Sequence, residues 1–439
     1  MGAEPDHHRM GRIRLHATVF LAATLLGLGA GGGLALAAPP PGTCHNPTPA
    51  RPEIAQLPWA QQVLAPDRAW PFSDGAGVTV AVVDSGVDAD HPQLAAKVSR
   101  GRDFYYLGGL PGNFDCVSHG TAVAGIIAAG EADRIGFRGI APGARILPVR
   151  VSDRDLTDNG GAAAIDPVVL ARGIWWAVDQ GVKVLNLSVS GPVDNGHIRD
   201  AVAYAVSKDV LVVAAAGNHQ PDSQFAWRPS YPAAYPGVLG VGAIDIDGAK
   251  LPSSQLGDFV DLVAPGAGVL GPTRAGGHSY FTGTSFAAPF VAGTAALVRA
   301  RWPELSAAEV TRRLLATATP ARGGKGSPGY GAGVVDPYRA VTDGLAAVAP
   351  APLPPLTHPA PDVARLSAEA WWRNASELAG IGAAAAVGVA LLAVLIALVL
   401  TRGRRRGWAA GTAAALPATP VREELPEQVF LLPPPPVER

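Results

Sequence analysis

Short apolar runs rich in β-branched residues alternate with helix-length segments through the middle of the chain. The first run, Val78 to Val83, is continuously apolar, which is typical of a strand buried on both faces of a parallel sheet. Further strands are predicted at 145–151, 183–187, 210–215 and 258–266, and helices at 168–179, 197–207 and 306–316. Strands that alternate with helices usually pair in parallel through crossover connections. The pattern therefore predicts an α/β fold with a mostly parallel central sheet and helices on both faces.

Two longer apolar segments lie outside this alternation. Residues 15–38 follow three arginines and end in Ala35-Leu36-Ala37, which is typical of a cleaved signal peptide; an uncleaved N-terminal anchor is the alternative. Ala379 to Leu400 carries no charge and is long enough for a transmembrane helix, with a buried soluble helix as the alternative. Arg402 to Arg406 follows directly, so the positive-inside rule predicts a cytoplasmic C-terminal tail and an extracytoplasmic main domain.

These features predict the order of segments along the chain. The predicted segments are a signal peptide at 1–37, an N-terminal extension at 38–61, the α/β domain at 62–348, a proline-rich linker and juxtamembrane segment at 349–378, a transmembrane helix at 379–400 and a cytoplasmic tail at 401–439. The formal net charge is −1, and the dense basic cluster at 402–406 belongs to the membrane segment. The composition therefore gives no indication of a nucleic-acid surface.

The chain has two cysteines, Cys44 and Cys116. In an exported protein two cysteines can form one intramolecular disulfide, and two free thiols are the alternative. A disulfide would hold the N-terminal extension close to residue 116.

Two residues with ionisable side chains, Asp84 and His119, lie in the first part of the domain. Asp84 follows the strand at 78–83, and the carboxyl ends of strands are where open α/β sheets place their sites. His119 lies in the first turn of a helix predicted from Ser118, because small and apolar residues follow it. Taken singly, Asp84 is also explained by turn formation, and His119 by capping or core packing.

Ser285 lies where the segment Gly283 to Pro289 enters an apolar run that predicts a helix. A serine hydroxyl needs a base to become a nucleophile, whereas a helix start offers N–H groups to a developing oxyanion. A helix cap is the alternative interpretation of this serine. Asn218 ends another predicted strand, where it is either a turn residue or an amide donor to the same oxyanion.

A stretch of small residues follows the strand at 183–187. Ser188, Val189, Ser190 and Gly191 leave room for an extended peptide to pair with the backbone. The acidic loop at 152–164 lacks the ligand spacing of a known calcium loop, so it is interpreted as solvated surface, and neither a metal nor a cofactor is predicted.

Four motifs occur together in one order, and with them the chain resembles the subtilisin-like serine proteases over about residues 55 to 345. The motifs are Asp84-Ser85-Gly86-Val87, His119-Gly120-Thr121-Ala122-Val123-Ala124-Gly125, Ala216-Gly217-Asn218 and Gly283-Thr284-Ser285-Phe286-Ala287-Ala288-Pro289. The order Asp, His, Ser is that of subtilisin, and it differs from the orders in chymotrypsin and in α/β-hydrolases.

The resemblance implies a catalytic role for each motif. Ser285 is expected to attack the peptide carbonyl, His119 to transfer the proton, and Asp84 to orient His119. Asn218 and the Ser285 backbone N–H are expected to form the oxyanion hole. Residues 188–191 are expected to pair with the substrate backbone, and the reaction needs no cofactor.

The layout of the chain also resembles the mycosins, membrane-anchored proteases associated with type VII secretion in actinobacteria, as does the segment from Leu57 to Pro71. This resemblance implies a single-pass protein of the cell membrane that cleaves secreted proteins and contacts membrane-embedded components of a secretion system. The alternative is a structural scaffold of such a complex in which proteolysis is dispensable, and a nutrient-degrading protease is a weaker third interpretation. The extension at 38–61 is too short for a folded propeptide, so we expect it to wrap the domain and to stay attached.

Overall fold

The structure is a computed structural model of the chain. It describes residues 1–2, 39–106, 109–153, 165–218, 227–322, 324–345 and 363–408. The chain forms two compact units, Met1–Val348 and Ala349–Arg439. The predicted signal peptide (save residues 1–2), the loop at 154–164, and residues 219–226, 346–362 and 409–439 lie outside the described residues.

Parallel strands form the central sheet of the first unit. The strands are β1 (Thr79–Asp84), β2 (Arg102–Asp103), β3 (Arg145–Arg150), β4 (Val184–Leu187), β5 (Leu211–Ala215), β6 (Val238–Ile244) and β7 (Leu262–Pro265). Their order across the sheet is β2-β3-β1-β4-β5-β6-β7, with every pair parallel. The chain moves outward from β1 in both directions, so the switch point lies beside β1, where ligand sites are expected. Strands β8 (Val269–Pro272) and β9 (His278–Phe281) form a separate antiparallel pair.

Helices cover both faces of the sheet. The helices of this unit are α1 (Trp59–Leu64), α2 (His119–Ala128), α3 (Pro167–Asp179), α4 (Gly196–Ser207), α5 (Thr284–Arg301), α6 (Ala307–Thr317) and α7 (Pro337–Thr342), with a 3₁₀ turn at Pro66–Arg68. Helices α2 and α5 pack in the larger core cluster on one face, and α3 and α4 pack in the cluster on the other.

The alternation of side chains along β1 explains why both faces need helices. Val80 and Val82 belong to the cluster with α2 and α5, whereas Ala81 and Val83 belong to the cluster with α3 and α4. All four side chains are fully buried. Each buried valine stabilises the fold by about 1.5–3 kcal/mol, which accounts for the uninterrupted apolar run in the sequence.

The sequence prediction of an α/β fold is confirmed, and the predicted strands and helices lie at their expected positions. Strand β6 was not predicted, because Gly240 and Gly242 interrupt its apolar run and glycine weakens a strand signal. A side chain at Gly240 would collide with the carbonyl oxygen of Phe259, so this glycine reflects a close backbone approach. The two-residue strand β2 and the β8–β9 hairpin were also not predicted.

The N-terminal extension lies along the surface of the first unit. Cys44 and Cys116 form a disulfide with a Cα–Cα distance of 5.4 Å. Beyond it, the Thr48 N–H donates to the Cys116 carbonyl at 2.9 Å and the His278 N–H donates to the Pro52 carbonyl at 3.0 Å. The extension is therefore bonded both to the segment before α2 and to strand β9.

A glycine in the β8–β9 turn allows the extension to pass close to the hairpin. Gly277 has φ +76°, and a Cβ there would lie 1.7 Å from the carbonyl oxygen of Arg51. No side chain fits between the hairpin and the extension at this position. The β8–β9 turn thus leaves the space that the extension occupies.

The second unit contains one long helix, α8 (Val363–Arg405). Its portion Asn374–Arg405 is long and apolar enough to cross a membrane, with a mean hydropathy of 2.9 over its most apolar 18 residues. This portion includes the span predicted at 379–400, and the helix begins before it.

Candidate active site

Polar residues gather where β1, β4 and β5 end. Asp84 is the last residue of β1, Ser188 follows β4, and Asn218 follows β5. His119 begins α2 and Ser285 lies in the first turn of α5. Hydrogen bonds join His119 to Asp84, Ser285 to Ser188, and Asn218 to the residue before Ser285. The residues predicted from separate motifs therefore lie at one edge of the sheet.

Asp84 and His119 form a buried pair. The Nδ1 atom of His119 lies 2.7 Å from Oδ1 of Asp84, and both side chains are almost inaccessible to solvent. The same oxygen accepts the Ser85 backbone N–H at 2.7 Å. Because an ionised carboxylate can only accept, Nδ1 of His119 carries the hydrogen of this bond, and Nε2 is left as the basic nitrogen.

A second buried carboxylate, Asp115, organises the turn before His119. Its Oδ1 accepts the Ser85 hydroxyl at 3.1 Å and the Val117 N–H at 2.9 Å. Its Oδ2 accepts the N–H and the hydroxyl of Thr121 at 3.0 and 2.7 Å. The Ser85 hydroxyl in turn accepts the Gly120 N–H at 2.9 Å. The residue after Asp84 and the residue after His119 are thus joined through one hydroxyl.

Burial raises the pKa of Asp115, and hydrogen bonds from Thr121 and Val117 oppose this increase. The sequence interpretation did not identify Asp115. The available signal was an acidic residue four positions before His119, in a segment otherwise short of charge.

Ser118 occupies the N-cap position of α2, but its side chain does not cap the helix. It has φ +73° and its side chain makes no cap bond to the helix. Its hydroxyl instead donates to Thr48 Oγ1 at 3.3 Å and accepts the Arg274 N–H at 3.1 Å. Arg274 also donates to the carbonyl oxygens of Asp115 and Thr48. Contacts with the extension and with the β8–β9 turn therefore hold Ser118 in position.

The start of α5 brings Ser285 and Asn218 together through Thr284. The N–H and the hydroxyl of Thr284 lie 2.9 and 3.1 Å from Oδ1 of Asn218, and the Gly217 N–H donates to the same hydroxyl at 3.0 Å. These bonds identify Oδ1 as the accepting end of the Asn218 amide and Nδ2 as its donating end. Gly283 has φ +141°, and a Cβ there would lie 3.2 Å from Nδ2 of Asn218, so this glycine leaves space beside the amide donor.

The segment after β4 makes close contact with Ser285. The Ser285 hydroxyl donates to the Ser188 carbonyl at 3.1 Å, and Ser190 is exposed. Gly191 is already paired, because its N–H and its carbonyl both bond to Tyr231 at 2.9 and 2.8 Å. Ser188 and Val189 are buried, so Ser190 is the exposed residue of this segment, and pairing of a peptide at Gly191 requires displacement of Tyr231.

Within the ranges that the structure describes, no group of three or more His, Cys, Asp or Glu side chains could hold a metal ion. The acidic residues Asp155 and Asp158 lie outside those ranges.

Comparison with known proteins identifies the family to which this fold belongs. Residues 75–333 match the subtilase family of peptidases. Thermitase of Thermoactinomyces vulgaris is 39% identical over 251 residues, which cover 57% of this chain and 85% of thermitase. Mycosin-1 of Mycobacterium tuberculosis is 36% identical over 388 residues, which cover 76% of this chain and 84% of that protein.

Solved structures of mycosins superpose on the chain. The MycP3 protease from the type VII (ESX-3) secretion system is 35% identical with a TM-score of 0.58, and covers 70% of this chain and 97% of its own. MycP1 from Mycobacterium smegmatis is 31% identical with a TM-score of 0.59, and covers 72% of this chain and 93% of its own. The chain therefore belongs to the subtilase family of serine proteases and is related to the mycosins of type VII secretion systems.

Proposed function

We propose that the chain is a membrane-anchored serine endopeptidase of a type VII secretion system that hydrolyses peptide bonds of exported proteins with Asp84, His119 and Ser285. The observation that carries the proposal is the buried 2.7 Å contact between His119 and Asp84, at the sheet edge that also holds Ser285. A buried carboxylate–imidazole pair beside a serine at a helix start is the arrangement that activates a hydroxyl nucleophile.

In this mechanism, Nε2 of His119 accepts the Ser285 hydroxyl proton while Oγ attacks the carbonyl carbon of the scissile peptide bond. The tetrahedral intermediate collapses to an acyl-enzyme, and His119 gives the proton to the leaving amine. Water then attacks the ester with the same base, which releases the acid product and restores Ser285. Asp84 holds the hydrogen on Nδ1 throughout and stabilises the imidazolium.

The oxyanion is stabilised by Nδ2 of Asn218 and the backbone N–H of Ser285. The bonds from Thr284 to Oδ1 of Asn218 support this role, because they occupy the accepting end of the amide and identify Nδ2 as the end that donates. Loss of one such donor typically lowers turnover by about 100- to 1,000-fold. The N-terminal position of Ser285 in α5 adds the positive end of the helix dipole.

The membrane and secretion parts of the proposal have separate support. The helical portion Asn374–Arg405 has the length and hydropathy of a membrane span, and three arginines lie in its last turn. With the positive-inside rule, these arginines favour a cytoplasmic tail and an extracytoplasmic protease unit. The relationship to mycosins supplies the link to type VII secretion.

A scaffold role is the second candidate, and the description of MycP1 as an essential component of its secretion system favours it. Ser285→Ala separates the two functions in a host that depends on this chain for secretion. Intact secretion without cleavage indicates a scaffold, and loss of both indicates catalysis as the main role. Deletion of the whole chain is the control that establishes the dependence.

The catalytic assignment is tested by labelling the detergent-solubilised full chain with a fluorophosphonate. We expect Ser285→Ala to abolish labelling and His119→Ala to slow it about 1,000-fold or more, because the serine loses its base. Ser207→Ala, which removes a hydroxyl that donates to the Tyr204 carbonyl on α4, is the matched control and should label normally. Labelling that persists in Ser285→Ala would contradict the assignment.

A further inference from the structure

The backbone carbonyl of Ser285 has no partner available within its own helix. In an α-helix the carbonyl of each residue accepts the N–H of the residue four positions later. For Ser285 that residue is Pro289, which lies inside α5 and has no N–H to donate. A buried carbonyl left in this state destabilises the backbone around it. The nucleophile therefore sits on a helical turn that is one hydrogen bond short.

The side chain of Ser188 supplies the missing donor. Its hydroxyl donates to the Ser285 carbonyl oxygen at 2.7 Å. Ser188 is 1% exposed and follows directly after β4, so it reaches the helix from the sheet. A side chain from a different element thus replaces the N–H that Pro289 lacks.

Asn186 fixes the direction of the Ser188 hydroxyl. Its Nδ2 donates to Ser188 Oγ at 2.9 Å, and its side chain is fully buried within β4. Because one side of Ser188 Oγ is occupied by this donor, the hydroxyl hydrogen is directed to the Ser285 carbonyl.

The two serines are joined by a second bond in the opposite direction. The Ser285 hydroxyl donates to the Ser188 carbonyl at 3.1 Å. One bond holds the Ser285 backbone and the other contacts the reacting oxygen. The position of the nucleophile relative to the sheet edge therefore depends on Ser188.

We propose that Ser188, directed by Asn186, is a positioning residue that holds Ser285 in place by supplying the hydrogen bond that Pro289 cannot. This inference rests on the proposed role of Ser285 as the nucleophile. It goes beyond backbone pairing with substrate at residue 188, because it assigns a role to the side chain.

The test is a double-mutant cycle on the detergent-solubilised full chain. Two quantities are measured for each variant: the rate of fluorophosphonate labelling at saturating probe, and the probe concentration that gives half of that rate. Ser188→Ala should slow the saturated rate about ten- to 100-fold, because small displacements of a reacting group are costly, and should change half-saturation less than about twofold. Pro289→Ala restores an N–H to residue 289. In the Pro289→Ala background, Ser188→Ala should therefore slow the rate by less than about threefold.

Thr294→Val is the matched control on the same helix. The Thr294 hydroxyl donates to the Phe290 carbonyl at 2.8 Å, but that carbonyl also has its regular helical donor, the Thr294 N–H. This variant should label at the rate of the unchanged protein. An equal effect of Ser188→Ala in both backgrounds would overturn the proposal, since a general packing role predicts no rescue by Pro289→Ala.

A second variant covers the case in which Ser188→Ala fails to fold. Asn186→Asp keeps the shape of the side chain but converts its donor into an acceptor, which draws the Ser188 hydroxyl away from Ser285. It should slow labelling, and Pro289→Ala should again restore it; absence of that rescue would count against the proposal. If the unchanged protein does not label at all, the proposed catalytic function fails, whereas labelling that is insensitive to both variants refutes only the positioning role.

Discussion

At the scale of single residues, two buried carboxylates lie near the start of α2 and have different partners. Asp84 contacts the imidazole of His119, whereas Asp115 is surrounded by hydroxyl and amide donors. Motif order in the sequence was sufficient to predict Asp84, His119 and Ser285. It could not predict the hydrogen bonds of Asp115 or Ser188, because a buried side chain that bonds to backbone groups has no periodic signature.

Asp115→Asn should lower the free energy of unfolding by about 1–3 kcal/mol, because one accepting oxygen becomes a donor that faces other donors. It should also slow fluorophosphonate labelling about tenfold, since Ser85 and Thr121 lose their common acceptor. Urea unfolding followed by tryptophan fluorescence measures the first effect. Asp133→Asn, which removes an exposed carboxylate paired with Arg134, should change the free energy of unfolding by less than about 0.5 kcal/mol. Equal stability of the two variants would show that the Asp115 network is unimportant.

At the scale of elements, the extension is held by a histidine of β9. The Ile54 N–H donates to Nδ1 of His278 at 3.3 Å, and Nε2 of His278 bonds to Gln93 Oε1 at 2.7 Å. The sequence predicted an extended arm near residue 116 but not its path, because the path depends on the β8–β9 hairpin, which was itself not predicted.

A fall in pH should weaken the contact between the Ile54 N–H and Nδ1 of His278. Burial, together with the nearby ring of His91, lowers the pKa of His278 to about 4. Burial also lowers the pKa of His91, with the carboxylates of Asp88 and Glu53 opposing the change. Because the folded protein keeps His278 neutral, its contribution to stability is complete above pH 6.5 and is lost as the pH falls from 6.5 towards 4.

The predicted decrease in the free energy of unfolding is about 2–3 kcal/mol between pH 7 and pH 4.5 from this group. Urea unfolding at the two pH values measures it. His278→Gln, which cannot titrate, should remove most of that difference, while the exposed His197→Gln should retain it. A pH dependence that is identical in all three proteins would exclude His278 as its source.

The disulfide is the covalent counterpart of these contacts. It joins residues separated by 72 positions, and a loop of that length predicts about 4 kcal/mol of stabilisation through the unfolded chain. Cys44→Ser with Cys116→Ser should therefore lower the free energy of unfolding by about 2–4 kcal/mol in urea titrations. The unchanged protein in reductant should show a similar decrease in the free energy of unfolding. An unchanged free energy of unfolding in both the double variant and the reduced protein would contradict the prediction.

At the scale of the whole molecule, the protease unit and the long helix are separate bodies along the chain. The first unit contains the sheet, its helices and the site, whereas the second contains the candidate membrane span. The α/β fold was predictable because β1 is apolar on both faces, and the span because its hydropathy is high over a long segment. Strand β6 was missed because its glycines serve close backbone contacts that only the folded sheet makes evident.

A chain that ends after Val348 should appear in the soluble fraction and label with fluorophosphonate within about twofold of the full chain, because every residue of the proposed site precedes that point. Membrane fractionation followed by labelling measures both properties. Full-length Ser285→Ala is the control, since it should stay with the membrane although it does not label. A truncated protein that remains in the membrane fraction would contradict anchoring by α8.

The Cys44–Cys116 bond also determines what a cut in the extension can achieve. Any single cleavage between residues 45 and 115 opens the chain inside the covalent loop that the bond closes. Both pieces then migrate together on a non-reducing gel and separate only after reduction. A protease that cuts the extension after Cys44 would therefore create new chain ends without releasing a fragment, and a non-reducing gel would not reveal the cut.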